Sequence, residues 1–324
     1  MNRPPPPHEA DFRGLKLSHL RLMAELQATG QLGLAAERLG LAQPAASRLL
    51  AEVERIAGHP VHSRDGRGLR LTAAGEALAR RAARIALELA DAKREVTEAA
   101  TGTEGHVRIG AVTGPALDHV LPAVQRIRAD HPRLTLEITV STSPPLCDLL
   151  LAGRLDFAIG RLLDPGHSRL LHMQPIRDEP LSLIVRRGHP LLLRPRITAA
   201  DVLDYEWVMP EDEALITRSV LDRLAALGLP GPRRQVSTAS FLFTLAMLKA
   251  SDAVAPLAQP VAESFASGPS TPFVDLPLDL DIRVPPFGLI RRREAELTPA
   301  AGRVARAILE SGLPGQPGAK PATS

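Results

Sequence analysis

Cysteine, tryptophan and tyrosine each occur once in the 324 residues, and aromatic side chains make up only 3% of them. A lone Cys147 has no partner for an internal disulfide, which fits a reducing compartment, and it reads as a small buried apolar residue rather than a reactive thiol. No stretch approaches the roughly 20 uninterrupted apolar residues of a membrane span. Met1 to Pro7 holds four consecutive prolines where a secretory signal would hold an apolar core. A cytoplasmic protein with no membrane role is therefore expected. The chemistry of enzymes is missing as well: there is no Gly-rich phosphate loop, no Gly-x-Ser-x-Gly elbow and no Cys or His cluster at metal spacing. His59 and His62 are three apart but lack a third ligand. No catalytic residue, metal or cofactor is expected.

What is present is a chain long enough for two or three domains, with 44% apolar and 23% charged residues, the balance of ordinary globular proteins. The net charge of +3 is unevenly placed: residues 1 to 100 hold 15 Lys and Arg against 12 Asp and Glu, while the remainder is balanced at 24 against 24. Between Arg38 and Arg84 the ratio is nine to four, a local excess that favours a phosphate backbone. Residues 1–14 and 313–324, rich in Pro, Gly and small polar residues, read as disordered tails. From about residue 18 to 100 helix follows helix, with one short basic interruption. From about 105 β-branched runs alternate with helical segments: His106 to Val112, Leu134 to Val140, Asp156 to Gly160, Leu181 to Arg187, Trp207 to Pro210 and Ala253 to Leu257. That alternation predicts two α/β lobes. Gly102 to Gly105 is the expected hinge between the halves.

In the N-terminal half a first helix is expected from Ser18, its N-cap, with Leu20, Met23 and Leu26 at helical spacing and a stop at Gly30. A second runs from Gly33 to Leu39 and ends in a turn at Gly40. The third opens at Gln43-Pro44, where Pro suits the first helical position. There Ala46, Leu49, Val53 and Ile56 share one face, and Gln43, Pro44, Ser47 and Arg48 the other. An inner apolar stripe with an outer face of amide, hydroxyl and guanidinium groups suits a helix lying in a DNA major groove. Periodicity alone fits a solvated amphipathic helix equally well.

The following segment favours the first reading. Val61 to Arg64 and Leu69 to Thr72 predict two short strands joined by Asp65-Gly66-Arg67-Gly68, a hairpin presenting Arg64, Arg67 and Arg70 to phosphates. Thr72 then caps a long helix in which Leu78, Ala82, Ile85, Leu89, Ala92 and Val96 recur at steps of four and three, a seam for a partner helix or for an intrachain neighbour.

These residues resemble the LysR-type transcriptional regulators. The matching text is ATGQLGLAAERLGLAQPAASRLLAEVE from Ala28 to Glu54 and SRDGRGLRLTAAGEAL from Ser63 to Leu78, continued by EGHVRIGAV, GRLDFAIG and RGHPL further on. The resemblance implies an α+β multidomain chain: a winged helix-turn-helix (15–72), a dimerising linker helix and hinge (73–104), and a two-lobed α/β effector domain (105–312) resembling type 2 periplasmic binding proteins. Lobe 1 would span about 105–177 and 286–312, and lobe 2 about 178–285. It implies double-stranded DNA and a small-molecule effector as partners, a homodimer or homotetramer, and RNA polymerase for an activator. DNA reading falls to Gln43, Pro44, Ser47 and Arg48, with Arg64 and Arg67 in the wing. Two positions depart from the family's pattern: Ala42 replaces the usual capping Ser of the third helix, and Gly33 stands where Ser or Thr opens the second. The first change costs on the order of 1 kcal/mol and the second a few tenths.

If the lobes follow the family pattern, strand ends and helix starts face the cleft. Thr113, Gly114, Thr142 and Ser143 are then either ligand contacts or simple caps. Pro210 and the Thr238 to Phe241 turn are the second lobe's contribution. Arg161, after a short strand, either pairs with a carboxylate or sugar hydroxyl or is a solvated surface arginine. Trp207 and Phe241 either stack on a ring or belong to the core. FAIGRLLD with EPLSLIVRRGHPL resembles the subgroup of the galactose-binding protein regulator, which places sugars first and aromatic or other carboxylic acids second. The competing reading is a solute-binding receptor without DNA binding, against which the N-terminal module argues.

Overall fold

The computed structural model describes residues 12–65, 68–101, 105–211, 214–268, 270–293 and 295–311. The chain forms two compact units, divided at Gly102 and Thr103. The expected hinge falls at this division, and its residues 102–104 lie outside the described residues, as do 1–11 and 312–324 of the expected tails.

The N-terminal unit runs α1 (Leu17–Thr29), α2 (Leu32–Arg38), α3 (Gln43–Ala57), β1 (His62–Asp65), β2 (Gly68–Leu71) and α4 (Ala73–Thr101). Several expectations need correction. Ser18 does not cap α1: Lys16 holds the cap position, and its backbone N–H donates to His19 Nδ1 at 3.0 Å. Pro44 is the second residue of α3, not the first. Phe12–Gly14, read as tail, forms one 3₁₀ turn, closed by Leu15 N–H donating to the Phe12 carbonyl. The positive-φ stops at Gly30 and Gly40 are as expected.

Leu22, Met23 and Leu26 of α1 bury against Ala35 and Ala36 of α2 and Ala46, Leu50 and Val53 of α3. Leu50, not Leu49, is the fully buried member of the α3 stripe, because a step of four from Ala46 stays on the inner face where a step of three leans to its edge. The hairpin pairs His62 with Leu71 and Arg64 with Leu69, one residue along from the expected spans. Its turn residues Gly66 and Arg67 lie outside the described residues. Thr72 caps α4 as expected: its hydroxyl accepts from Gly75 N–H at 3.1 Å and donates to the Pro60 carbonyl at 2.7 Å.

The C-terminal unit runs β3 (His106–Ala111), α5 (Thr113–Pro115), a wide π turn at Ala116–Val120, α6 (Leu121–Asp130), β4 (Thr135–Val140), α7 (Ser143–Leu151), β5 (Phe157–Gly160), α8 (Pro165–Leu170) and β6 (Leu171–Arg186). It continues with α9 (Ala199–Val202), β7 (Trp207–Met209), α10 (Leu215–Ala226), β8 (Gln235–Ser237), α11 (Phe241–Ala250), β9 (Ala255–Ala258), α12 (Gln259–Ala266), β10 (Phe273–Asp275), β11 (Arg283–Arg292) and α13 (Pro299–Ser311). Strands β4, β3 and β5 are parallel, and β11 joins them antiparallel and then pairs with β6.

Two strands serve both lobes. The first half of β6 pairs with β11, and its second half carries β9 and β10 on its two sides. Around the parallel strands Val107, Ile109, Phe157 and Ile159 pack under α13 residues Ala301, Val304 and Ile308. The second lobe packs Leu183, Val185, Trp207, Val220 and Leu224 together. The sequence pattern predicts only the second half of β6 and misses β8, β10 and β11. Pro175 and Pro180 interrupt β6, and Pro285 and Pro286 interrupt β11, which shifts register between Val284 and Gly288. Proline in a strand reads as a breaker but is tolerated at such a bulge.

Candidate functional site

Helix α3 presents Gln43, Pro44, Ser47 and Arg48 to solvent from its first turns, while Ala46, Leu50, Val53 and Ile56 anchor the other side. Ala42, at its cap, makes no side-chain bond to the helix, so the missing hydroxyl is a real departure. Two acidic residues that sequence reasoning passed over hold this helix in place. Glu52 Oε2 lies 3.2 Å from Nε2 of His19, whose imidazole is fully buried. Because His19 Nδ1 accepts from Lys16 N–H, Nε2 carries the hydrogen and donates to Glu52. Glu54 Oε1 accepts from the backbone N–H groups of Val61 and His62 at 2.9 and 3.4 Å, fixing α3 to the start of the hairpin. Only the pairing, not the residue types, would have revealed this. Arg64 sits in β1, and Arg67 lies outside the described residues.

Along α4 the predicted seam divides. Leu78 and Ala82 pack into the N-terminal unit's own core, whereas Ile85, Leu89, Ala92 and Val96 are exposed, Val96 at 69%.

In the C-terminal unit the ends of β3, β4 and β5 converge, as parallel α/β strands bring their carboxyl ends to one edge. Thr113 is exposed at the start of α5, and Thr142 is exposed at the cap of α7, where its side chain makes no capping bond. Ser143 is buried, and its hydroxyl accepts from Arg161 N–H at 3.0 Å.

Arg161 is neither a surface side chain nor a free cation. It is 6% exposed, its Nη2 donates to Glu179 Oε2 at 2.7 Å, and its Nε donates to the Pro285 carbonyl at 2.7 Å. Its guanidinium carbon lies 5.8 Å from the centre of the Phe287 ring. Arg161 therefore ties β5 to both strands that run between the lobes. Its partners lie in segments that carry no strand signal, which is why sequence reasoning left it in solvent. Gly114 is buried because Glu179 presses on it: a β-carbon there would fall 1.9 Å from Glu179 Oε1.

On the second lobe Pro210 and Thr238 are half-buried. The Pro210 carbonyl accepts from the Thr217 hydroxyl at 3.0 Å, and the Thr238 hydroxyl accepts from Ser240 N–H at 3.1 Å. Phe241 meets Phe265 edge to face at 5.3 Å. Trp207 is core, with its indole N–H donating to the Val202 carbonyl at 3.0 Å. Cys147 is buried as expected, and burial, with the charges of Asp148 and Asp164, pushes its thiol up to about 11. Among the described residues no cluster could hold a metal ion, and no helix is long and apolar enough to cross a membrane.

A helix-turn-helix followed by a hairpin, joined through a long helix to a two-lobed α/β unit whose strands cross twice between lobes, defines a ligand-responsive DNA-binding regulator. Residues 17–76 match the bacterial regulatory helix-turn-helix proteins of the lysR family, and residues 100–312 match the LysR substrate binding domain. The chain belongs to the LysR family of DNA-binding transcriptional regulators. It is 40% identical over 252 residues to the transcriptional regulator GbpR of Rhizobium radiobacter, covering 77% of this chain and 83% of the relative. To GbpR of Azospirillum brasilense it is 35% identical over 298 residues, 92% of this chain and 86% of the relative. In fold it is similar to ArgP from Mycobacterium tuberculosis, with a TM-score of 0.64 at 20% identity, covering 91% of this chain and 96% of that one. It is likewise similar to CbnR, with a TM-score of 0.57 at 22% identity, covering 92% and 100%.

Proposed function

We propose that Gln43, Pro44, Ser47 and Arg48 enter the major groove of double-stranded DNA, with Arg64 and Arg67 of the wing on adjacent phosphates, while the C-terminal unit binds a small-molecule effector at the strand ends between its lobes. The observation that carries the DNA assignment is the exposure of all four α3 residues on a helix pinned from behind by Glu52 and Glu54. The exposed stripe of Ile85, Leu89, Ala92 and Val96 supports pairing of α4 with a second copy, in a homodimer or homotetramer working in the cytoplasm. RNA polymerase becomes a partner if the protein activates.

For the effector, Thr113, Gly114, Thr142, Ser143, Pro210, Thr238 and Phe241 are the proposed lining. Arg161 acts behind them through Ser143 and Glu179. A sugar is the first class and an aromatic or other carboxylic acid the second, since hydroxyl groups at helix starts with the adjacent cation already paired suit a polyhydroxyl ligand. Gel shifts on the region upstream of the gene test the DNA assignment. An Arg48→Ala, Arg67→Ala double variant is expected to bind at least about tenfold more weakly than wild type, each contact contributing about 1–3 kcal/mol. Equal binding would remove the assignment.

A further inference from the structure

Glu179 has a role that the regulator reading does not assign. It is 5% exposed, on β6 where the strand passes between lobes, and only one of its carboxylate oxygens is used. Oε2 takes the hydrogen bond from Arg161 at 2.7 Å. Among the described residues Oε1 is buried with no hydrogen-bond partner, against Gly114, with the Ala258 side chain on the same spot. Thr113, which precedes Gly114 in the chain, is exposed just beyond the carboxyl end of β3, where the proposed effector site lies. Arg161, the residue that follows β5, donates to that carboxylate through Nη2 and to the Pro285 carbonyl through Nε. Charges shielded from water act strongly over such distances, and a buried acceptor left unpaired keeps its field.

We propose that Glu179 determines the charge class of the effector: by neutralising Arg161 and leaving Oε1 unpaired beneath the α5 turn, it favours a neutral polyhydroxyl ligand over a carboxylate. The inference rests on the effector site lying at these strand ends. Calorimetric titration of the full chain with D-galactose, L-arabinose, benzoate and succinate tests it in wild type, Glu179→Gln and Arg161→Met. Glutamine keeps the size of the side chain and an acceptor for Arg161 while removing the negative charge. Glu179→Gln is expected to bind benzoate or succinate at least about tenfold more tightly than wild type does, and addition of Arg161→Met to abolish that gain.

Should Glu179→Gln lose its cooperative melt, Glu179→Met serves instead, because it removes the same negative charge with a side chain of similar length and is expected to yield the same gain. Wild type that binds a carboxylate through Arg161 as tightly as the variant does overturns the inference and leaves the effector site standing. A folded variant with no carboxylate response also overturns it. Absence of any response to either class in all forms would contradict the placement of the site as well.

Discussion

A β-carbon on residue 75 would sit 1.9 Å from the Val61 carbonyl oxygen, so the first turn of α4 can approach the start of the hairpin only through glycine. The contact is with backbone, which cannot rotate away. Gly75→Ala is expected to destabilise the N-terminal unit by about 1–3 kcal/mol, read from urea unfolding; a change below the error of extrapolation would contradict the packing. Gly288 is constrained in the same way by the Gln174 carbonyl, at 2.2 Å from its β-carbon position, where β6 and β11 meet.

Two buried histidines set a pH dependence. His119, edge-on to Phe287, is held below its ordinary 6.5 by burial, against the opposing pull of Asp118. Burial likewise lowers His189, whose Nδ1 accepts from Leu191 N–H and whose Nε2 donates to the Asp252 carbonyl. Because both are harder to protonate folded than unfolded, the unfolded chain takes up more protons below 6.5, and stability present above that pH is lost as pH falls through it. Thermal unfolding of His119→Leu is expected to show a shallower decline between pH 7 and 5 than wild type, and parallel curves would contradict this. Cys147, with its thiol pushed up to about 11, should resist a disulfide reagent at pH 8 in the native protein and react on unfolding. Most of this was out of reach of the sequence. Cys147 could be read as buried from its type, but Glu52, Glu54, Arg161 and Glu179 take their roles from partners distant in the chain.

Among the elements, α3 was legible because its apolar and polar faces separate cleanly and Pro44 marks its start. The hairpin was legible because two short runs flank a turn. Strand β11 was not, since its prolines remove ladder donors and its alternation breaks at the bulge. Helix α4 was legible as a helix but not in its division: Ala82 could face inward or toward a partner on sequence alone, and packing against α1 decides it. The proposed pairing with a second copy falls to the exposed half. Leu89→Glu places a charge in a seam where every chain would carry it, and sedimentation equilibrium should show a shift toward monomer at micromolar concentration. An unchanged oligomer would move the interface elsewhere.

For the molecule as a whole, the resemblance to one family, carried by segments from about residue 17 to 312, supplied the order of domains, and the alternation of strands and helices supplied the α/β character of the second unit. The resemblance also implied two crossings between lobes, near residues 177 and 286; that the long strands β6 and β11 run there had to come from the structure. DNA binding that neutralises phosphates releases counterions, so affinity should fall steeply with salt. The most direct test of the central claim is fluorescence anisotropy at fixed salt, comparing a duplex from the region upstream of the gene with a scrambled duplex of the same composition. Wild type is expected to prefer the upstream duplex by at least about a thousandfold, and Arg48→Ala to lose most of that preference. Equal affinity of wild type for the two duplexes would contradict the account.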